Sequence, residues 1–247
     1  MSPTNLDTIA RTAPQPEASD PRKPFWPARL PRELVVPETT LWFNLEVSAR
    51  RYPDKAACVF FGRSLSYREL HAQAEALAGW LQAHGVQRGD RVLLLLQNCP
   101  QFLVAFYAIQ RADAVVVPVN PMNKADELGH TITDPQARVA ITSADLAGVL
   151  AEADARLPAD QRLRQIVVTR LCDAMPEVLP EGETPSEATL AWLRADPPLP
   201  AGTTRWAEAL DGRHRPGPPR AQPDDLALLP YTSGTTGLPK GCMHSHR

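Results

Sequence analysis

The sequence predicts an α/β fold with a largely parallel sheet and flanking helices, and three observations carry that prediction. Short apolar runs alternate with amphipathic stretches of helical period from residue 57 to residue 169. Two of the runs, Arg91–Leu96 and Ala114–Val119, are continuously apolar, as expected of strands covered on both faces. A last such run, Leu226–Tyr231, delivers the chain into a loop rich in Gly and hydroxyl residues, and ligands of parallel sheets lie beyond the strands' carboxyl ends.

Residues 1–38 carry prolines at 3, 14, 16, 21, 24, 27, 31 and 37 and no sustained periodicity, so this segment is expected to be extended or disordered. Phe25 and Trp26 stand out within it as aromatics able to dock on the body of the protein, with a free tail as the alternative. Residues 39–247 form the second region. It begins with an amphipathic segment, marked by Leu41, Phe43, Leu45 and Val47, that ends near Arg50-Arg51-Tyr52-Pro53. A strand over Ala57–Phe61 follows, with Gly62-Arg63 as a tight hairpin turn into Ser64–Ser66. Ser66 and Glu69 make the Ser-x-x-Glu capping box of a helix. Its stripe is Leu70, Ala74, Leu77, Ala78 and Leu81, and Gly85 ends it. After the Arg91–Leu96 strand, Pro100 suits the first turn of a helix over Gln101–Arg111. Beyond the Ala114–Val119 strand, the rhythm gives helix Ala125–Thr133, strand Arg138–Thr142, helix Leu146–Leu157 and strand Gln165–Thr169. Between 171 and 223 it breaks. Ten prolines in that stretch, with short helical pieces around Trp192 and Trp206, read as an excursion across the surface.

Composition narrows the function classes. A net charge of −2 gives no single-signed field, so nucleic acid and acidic membranes are not expected partners. Cys58, Cys99, Cys172 and Cys242 are irregularly spaced with no Cys-x-x-Cys pair, which suits free thiols in a reducing compartment. The N-terminus lacks a basic start and an apolar core, and no run approaches a membrane span. A soluble, cytoplasmic protein is expected.

The chemistry concentrates in Tyr231-Thr-Ser-Gly-Thr-Thr-Gly-Leu-Pro-Lys240-Gly. Thr232, Ser233, Gly234, Thr235, Thr236 and Gly237 can turn backbone N–H groups and hydroxyls toward one point, and Lys240 adds a cation for a polyphosphate. A generic turn would not join a buried strand, two glycines, four hydroxyl residues and a lysine fixed behind Pro239. A Walker A loop is excluded because Gly241 follows Lys240 where a metal-binding hydroxyl is required.

The string resembles the signature loop of the adenylate-forming superfamily: acyl-CoA synthetases, luciferases and peptide-synthetase adenylation domains. Ser66–Leu70, Gly89–Val92, Asn98–Pro100, Val117–Pro121 and Glu127-Leu128 look like successive landmarks of the acyl-CoA synthetase N-terminal domain, so the resemblance covers about residue 40 onward. It implies the N-terminal portion of the adenylate-forming fold and the loop's hold on the β and γ phosphates of ATP. The implied reaction is that of an acid:CoA ligase. A carboxylate attacks the α phosphorus, pyrophosphate leaves with Lys240 offsetting its charge, and the acyl group passes to CoA. A fatty acid is favoured, with an aryl-acid ligase or an adenylation domain feeding a carrier protein as alternatives. A magnesium ligand, a ribose aspartate and a lid lysine are expected by the same resemblance beyond residue 247. The 247 residues alone are therefore expected to be inactive and prone to association, and a non-catalytic, nucleotide-binding fragment is the reading from a different class. Oligomeric state is left open. One departure is Asp113, where the family usually carries Gly before the strand.

Cys242, His244 and His246 alternate and would share one face of a strand. A metal site is the competing reading, but alternate positions on one strand rarely satisfy a tetrahedral ion, so a strand packing beside the loop is preferred. By resemblance, His246 borders the acyl and adenylate pocket. His71, His84, His130 and His214 have no placed partner and read as surface or helix-end residues. Asn120-Pro121 divides evenly between a site position and ordinary turn chemistry. No Asp/Glu pair can be set on one face, so nothing supports a hydrolase.

Overall fold

The structure, a computed structural model, describes residues 27, 29–31, 33–182, 184–232 and 237–247. It divides into two units, Met1–Val36 and Pro37–Arg247. In the first, the Leu30 N–H donates to the Pro27 carbonyl at 3.0 Å and closes a turn. Phe25 and Trp26 lie outside the described residues.

The second unit runs α1 (Leu41–Arg51), β1 (Ala56–Phe60), β2 (Arg63–Ser66), α2 (Tyr67–Ala83), β3 (Arg91–Leu95), α3 (Pro100–Arg111), β4 (Val115–Pro118), α4 (Ala125–Thr133), β5 (Val139–Ser143), α5 (Ala144–Ala155) and β6 (Gln165–Thr169). It continues with α6 (Glu187–Leu193), β7 (Thr204–Arg205), α7 (Trp206–Ala209), β8 (Leu226–Leu228), β9 (Tyr231–Thr232), β10 (Lys240–Gly241) and β11 (His244–Ser245). The main sheet has the order β11-β8-β4-β3-β5-β6-β7. From β8 to β7 every pairing is parallel, and β11 alone is antiparallel.

The alternation within β3 explains the layering. Val92 and Leu94 join the core under α1, α2 and α3, while Leu93 and Leu95 join the core under α4 and α5. All four are fully buried, as the continuously apolar run required. The sequence stripe of α2 is buried along its whole length, and its capping box is present. The Glu69 N–H donates to Ser66 Oγ at 3.2 Å, and Glu69 Oε2 accepts the Ser66 N–H at 2.8 Å. The Ser66 N–H and the Ser66 hydroxyl, both donating to Glu69 Oε2, hold the Glu69 carboxyl below its ordinary range. Ser66→Ala is expected to lower stability by about 1 kcal/mol in urea unfolding. Because the Glu69 pKa is depressed in the folded state, the contribution of its carboxylate is complete above the ordinary value of 4.5 and fades as pH falls through the depressed one.

Three local expectations are corrected. The hairpin turn falls on Phe61-Gly62, with φ of 47° and 82°, so Arg63 already belongs to β2. The amphipathic segment is the helix α1, whose buried side chains are Trp42 and Leu45, so of the four marked residues Phe43 lies exposed on the far face. The stretch 171–223 does more than cross the surface: it supplies β7 to the sheet edge beside β6, and it buries Leu171, Met175, Leu193 and Trp206.

The last part of that stretch is tied across α2 and α3. Gly217 donates to Gln82 Oε1 at 2.9 Å and accepts from Arg111 Nη1 at 2.8 Å. A Cβ on Gly79 would lie 2.3 Å from the His214 carbonyl oxygen, so the helix admits this strap only at a glycine. Asp113 makes the third tie: its Oδ1 accepts the N–H groups of Arg220 and Ala221 at 2.8 and 2.9 Å. Its φ of 61° keeps the left-handed turn that a glycine would make, and its side chain adds a clamp that glycine lacks. Gln110, also buried, then donates to the Ala227 carbonyl at 2.8 Å and fixes β8 against α3.

Candidate functional site

The predicted single strand over 226–231 is two pieces. β8 ends at Leu228, Pro230 interrupts the ladder, and Tyr231-Thr232 pairs as β9 with β10 in a separate ribbon. Thr232 faces Lys240 and Tyr231 faces Gly241 in antiparallel register, so the phosphate-loop candidate is closed at its neck by this ladder. Ser233, Gly234, Thr235 and Thr236 lie outside the described residues. Gly237 has φ of 143°, a conformation that side chains rarely adopt. Lys240 is exposed, next to the loop it closes.

Both arms of the neck rest on α4. The Tyr231 hydroxyl donates to Asp134 Oδ2 at 2.5 Å, and the His130 Nε2–H donates to the Pro239 carbonyl at 2.8 Å. The two rings meet edge to face at 5.9 Å. Burial and the Asp134 carboxylate both push the Tyr231 phenol well above its ordinary value, so it is a fixed donor. Gly241 packs beneath: a Cβ there would lie 3.0 Å from Leu229 Cγ and 3.3 Å from Tyr231 Cζ. His130 was legible in sequence only as a helix-end residue. Its partner is a backbone carbonyl far along the chain, a contact that leaves no side-chain signature.

His246 does not join this group. β11 runs antiparallel to β8, with His244 opposite Leu228 and Ser245 opposite Leu226, so the chain has returned to the amino edge of the sheet when it reaches His246. There the imidazole is buried, and Nδ1 accepts the Leu41 N–H at 3.2 Å. The expected common face of Cys242, His244 and His246 is also absent. A register shift interrupts β11, leaving Cys242 and His244 exposed and His246 buried. Among the described residues no group of three or more His, Cys, Asp or Glu could hold a metal ion.

Burial lowers the His246 pKa, against the opposing pull of Asp225 and Asp113. Protonating Nδ1 would remove the acceptor for Leu41. The neutral ring therefore contributes stability above the ordinary value of 6.5, and that contribution is lost as pH falls through the depressed folded value. Between pH 7 and 5 the protein is expected to lose more thermal stability than His246→Asn, and equal losses would contradict this role.

The upstream landmarks are structural devices. Gly89 turns with φ of 82° into β3, Asn120 Oδ1 accepts the Met122 N–H at 3.0 Å, and Glu127 Oε2 accepts the Lys124 N–H at 2.8 Å to open α4. Asn120-Pro121 is accounted for as turn chemistry of this kind.

The profile of the AMP-binding enzyme family matches residues 45–247. The chain belongs to that family. It is 32% identical over 225 residues to the long-chain-fatty-acid–CoA ligase of Bacillus subtilis, covering 90% of this chain and 39% of that protein. The enzyme of the same name from Escherichia coli O157:H7 is 32% identical over 228 residues, with the same coverage. Phosphinothricin tripeptide synthetase PhsC of Streptomyces viridochromogenes is 36% identical over 208 residues, covering 84% of this chain and 16% of that protein. This AMP-binding chain thus spans well under half the length of the curated relatives it matches. The fold of an anthranilate CoA ligase in complex with anthranoyl-AMP superposes with a TM-score of 0.67 at 24% identity, over 85% of this chain and 36% of that one. That of a putative long-chain-fatty-acid CoA ligase from Rhodopseudomonas palustris does so with 0.65 at 22%, over 85% and 45%. The α/β fold of this chain is therefore shared with partial chains of CoA ligases.

Proposed function

We propose that this chain is the ATP-holding part of an acid:CoA ligase acting in the cytoplasm. The observation that carries the reading is the clamped neck, in which α4 and the short ladder present a Gly- and hydroxyl-rich loop ending in Lys240, in a chain of the AMP-binding family. Residues 232–237 would supply donors to the β and γ phosphates, and Lys240 would meet the charge that grows on departing pyrophosphate. A carboxylate oxygen forms a bond to the α phosphorus as the bond to pyrophosphate breaks, giving an acyl-adenylate. The CoA thiol then attacks the acyl carbonyl, loses its proton and displaces AMP.

Magnesium is the usual companion of ATP in such chemistry. The described residues around the loop do not fit it as ligands, since the carboxylate at the neck, Asp134, is engaged by Tyr231. No step here is assigned to it.

A fatty acid is the favoured substrate, from the names of the first relatives. The identity to a peptide synthetase supports a second reading, an amino-acid adenylation domain serving a carrier protein. Exchange of labelled pyrophosphate into ATP by the complete gene product separates them. Dependence on hexadecanoate supports the first and dependence on an amino acid the second. Exchange with no acid at all would sink both.

A further inference from the structure

We infer a second anion-binding site, at the amino edge of the sheet, that takes a small phosphate-bearing ligand. A cavity of about 300 Å³ opens there between the turn into β3 and the starts of β5 and β6, and three arginines, Arg91, Arg138 and Arg164, line it with His84 and Gln136. The carboxylate of the lining is Asp90, whose Oδ2 accepts the Gln87 N–H at 2.9 Å. None of the residues of the phosphate loop takes part.

Two of the three arginines in this cavity are held by neutral oxygens, as Arg63 and Arg162 are elsewhere. Arg91 donates to the carbonyl oxygens of Pro135 at 2.5 Å and Gly89 at 3.0 Å and to Gln136 Oε1 at 3.3 Å. Arg138 donates to the carbonyls of Gln161 at 2.7 Å and Ala137 at 3.4 Å. Arg164 has no side-chain hydrogen bond or ion pair among the described residues. By contrast, Arg50, Arg68, Arg88, Arg156 and Arg170 each meet a carboxylate. Asp134, two residues before Gln136, is turned to Tyr231.

A solvated basic face is the ordinary fate of such residues, and flexible side chains would then spread apart. Here Arg91 and Arg138 are pinned by neutral oxygens around a concavity whose lining holds three guanidinium groups against one carboxylate, Asp90, so positive charge is in excess there. An anion between them offsets that excess, and the planar fork of a guanidinium matches phosphate oxygens. The volume lies at the low end of small-ligand cavities, which fits a phosphate with a small substituent.

The test is calorimetric titration of inorganic phosphate, inorganic pyrophosphate and glycerol phosphate into the Lys240→Ala protein, in which the loop is weakened. Saturable binding of at least one is expected, reduced about tenfold by Arg164→Gln and further by the Arg138→Gln/Arg164→Gln pair. Arg68→Gln, away from the cavity, should leave it unchanged. Tighter binding of glycerol phosphate would mark an organic phosphate as the ligand, and tighter binding of an inorganic anion would mark a free one. Arg164→Gln is expected to keep the thermal midpoint because its guanidinium has no partner to lose among the described residues. Absence of saturable binding by all three anions, or binding indifferent to Arg164→Gln and to the pair, would overturn the proposal. Loss of pyrophosphate exchange in Lys240→Ala bears only on the loop.

Discussion

Lys240→Ala is expected to lower acid-dependent pyrophosphate exchange by about 10²-fold, the scale found when one preorganised donor to developing charge is removed. The side chain is exposed, so the thermal midpoint should stay within the range of ordinary surface substitutions. The loss should fall on the chemical step more than on the apparent affinity for the acid, because Lys240 is proposed to act on departing pyrophosphate and not on the carboxylate. Lys240→Arg should recover part of the rate, since it restores charge in a different shape. An alanine variant with wild-type exchange would remove Lys240 from the mechanism.

The largest effect on stability is expected at Asp113. Alanine there leaves the N–H groups of Arg220 and Ala221 without the buried carboxylate that accepts them and places a side chain with no local hydrogen bond in the left-handed region, where φ is 61°. The two together should cost about 2–4 kcal/mol. Glycine loses the same hydrogen bonds but removes the backbone penalty, so Asp113→Gly should be milder. Asparagine keeps an acceptor oxygen and tolerates the left-handed turn, so Asp113→Asn should be mildest. The predicted order of urea midpoints is Asp, Asn, Gly, Ala. Finding Gly at or above the wild type would mean that the clamp contributes nothing and that the aspartate is tolerated for its backbone alone.

What could be read in advance divides along the range of the interactions involved. The α2 helix was legible from Ser66 to Gly85 because its cap, stripe and stop are all local. Strand β3 was legible because burial on both faces writes an unbroken apolar run. Strand β7 was not, since two residues, the half-buried Thr204 and the exposed Arg205, carry no pattern and owe their state to the edge offered by β6. The split between β8 and β9 was announced by Pro230, but the direction taken afterwards depends on Asp134 and His130, far back in the chain. For the candidate site the division is the same. Composition marked the loop and its lysine, whereas the residues that brace it, and the return of His246 to the opposite edge, are set by tertiary contacts alone.

Strand β8 enters the sheet beside β4, with Leu228 opposite Val116, after the chain has already laid down β5, β6 and β7 on the other side. A contact so distant in sequence closes late, because the entropy of bringing its ends together must be met before pairing returns anything. The strap held by Gln82, Arg111 and Asp113 shortens that search by walking the chain back across α2 and α3 one tie at a time. The phosphate loop follows β8, so its neck can settle onto α4 only once this last insertion is complete. In refolding, nucleotide-binding competence should therefore be the final signal to appear, trailing the recovery of helix and of buried tryptophan, and a loosened strap should delay it further without changing the earlier phases.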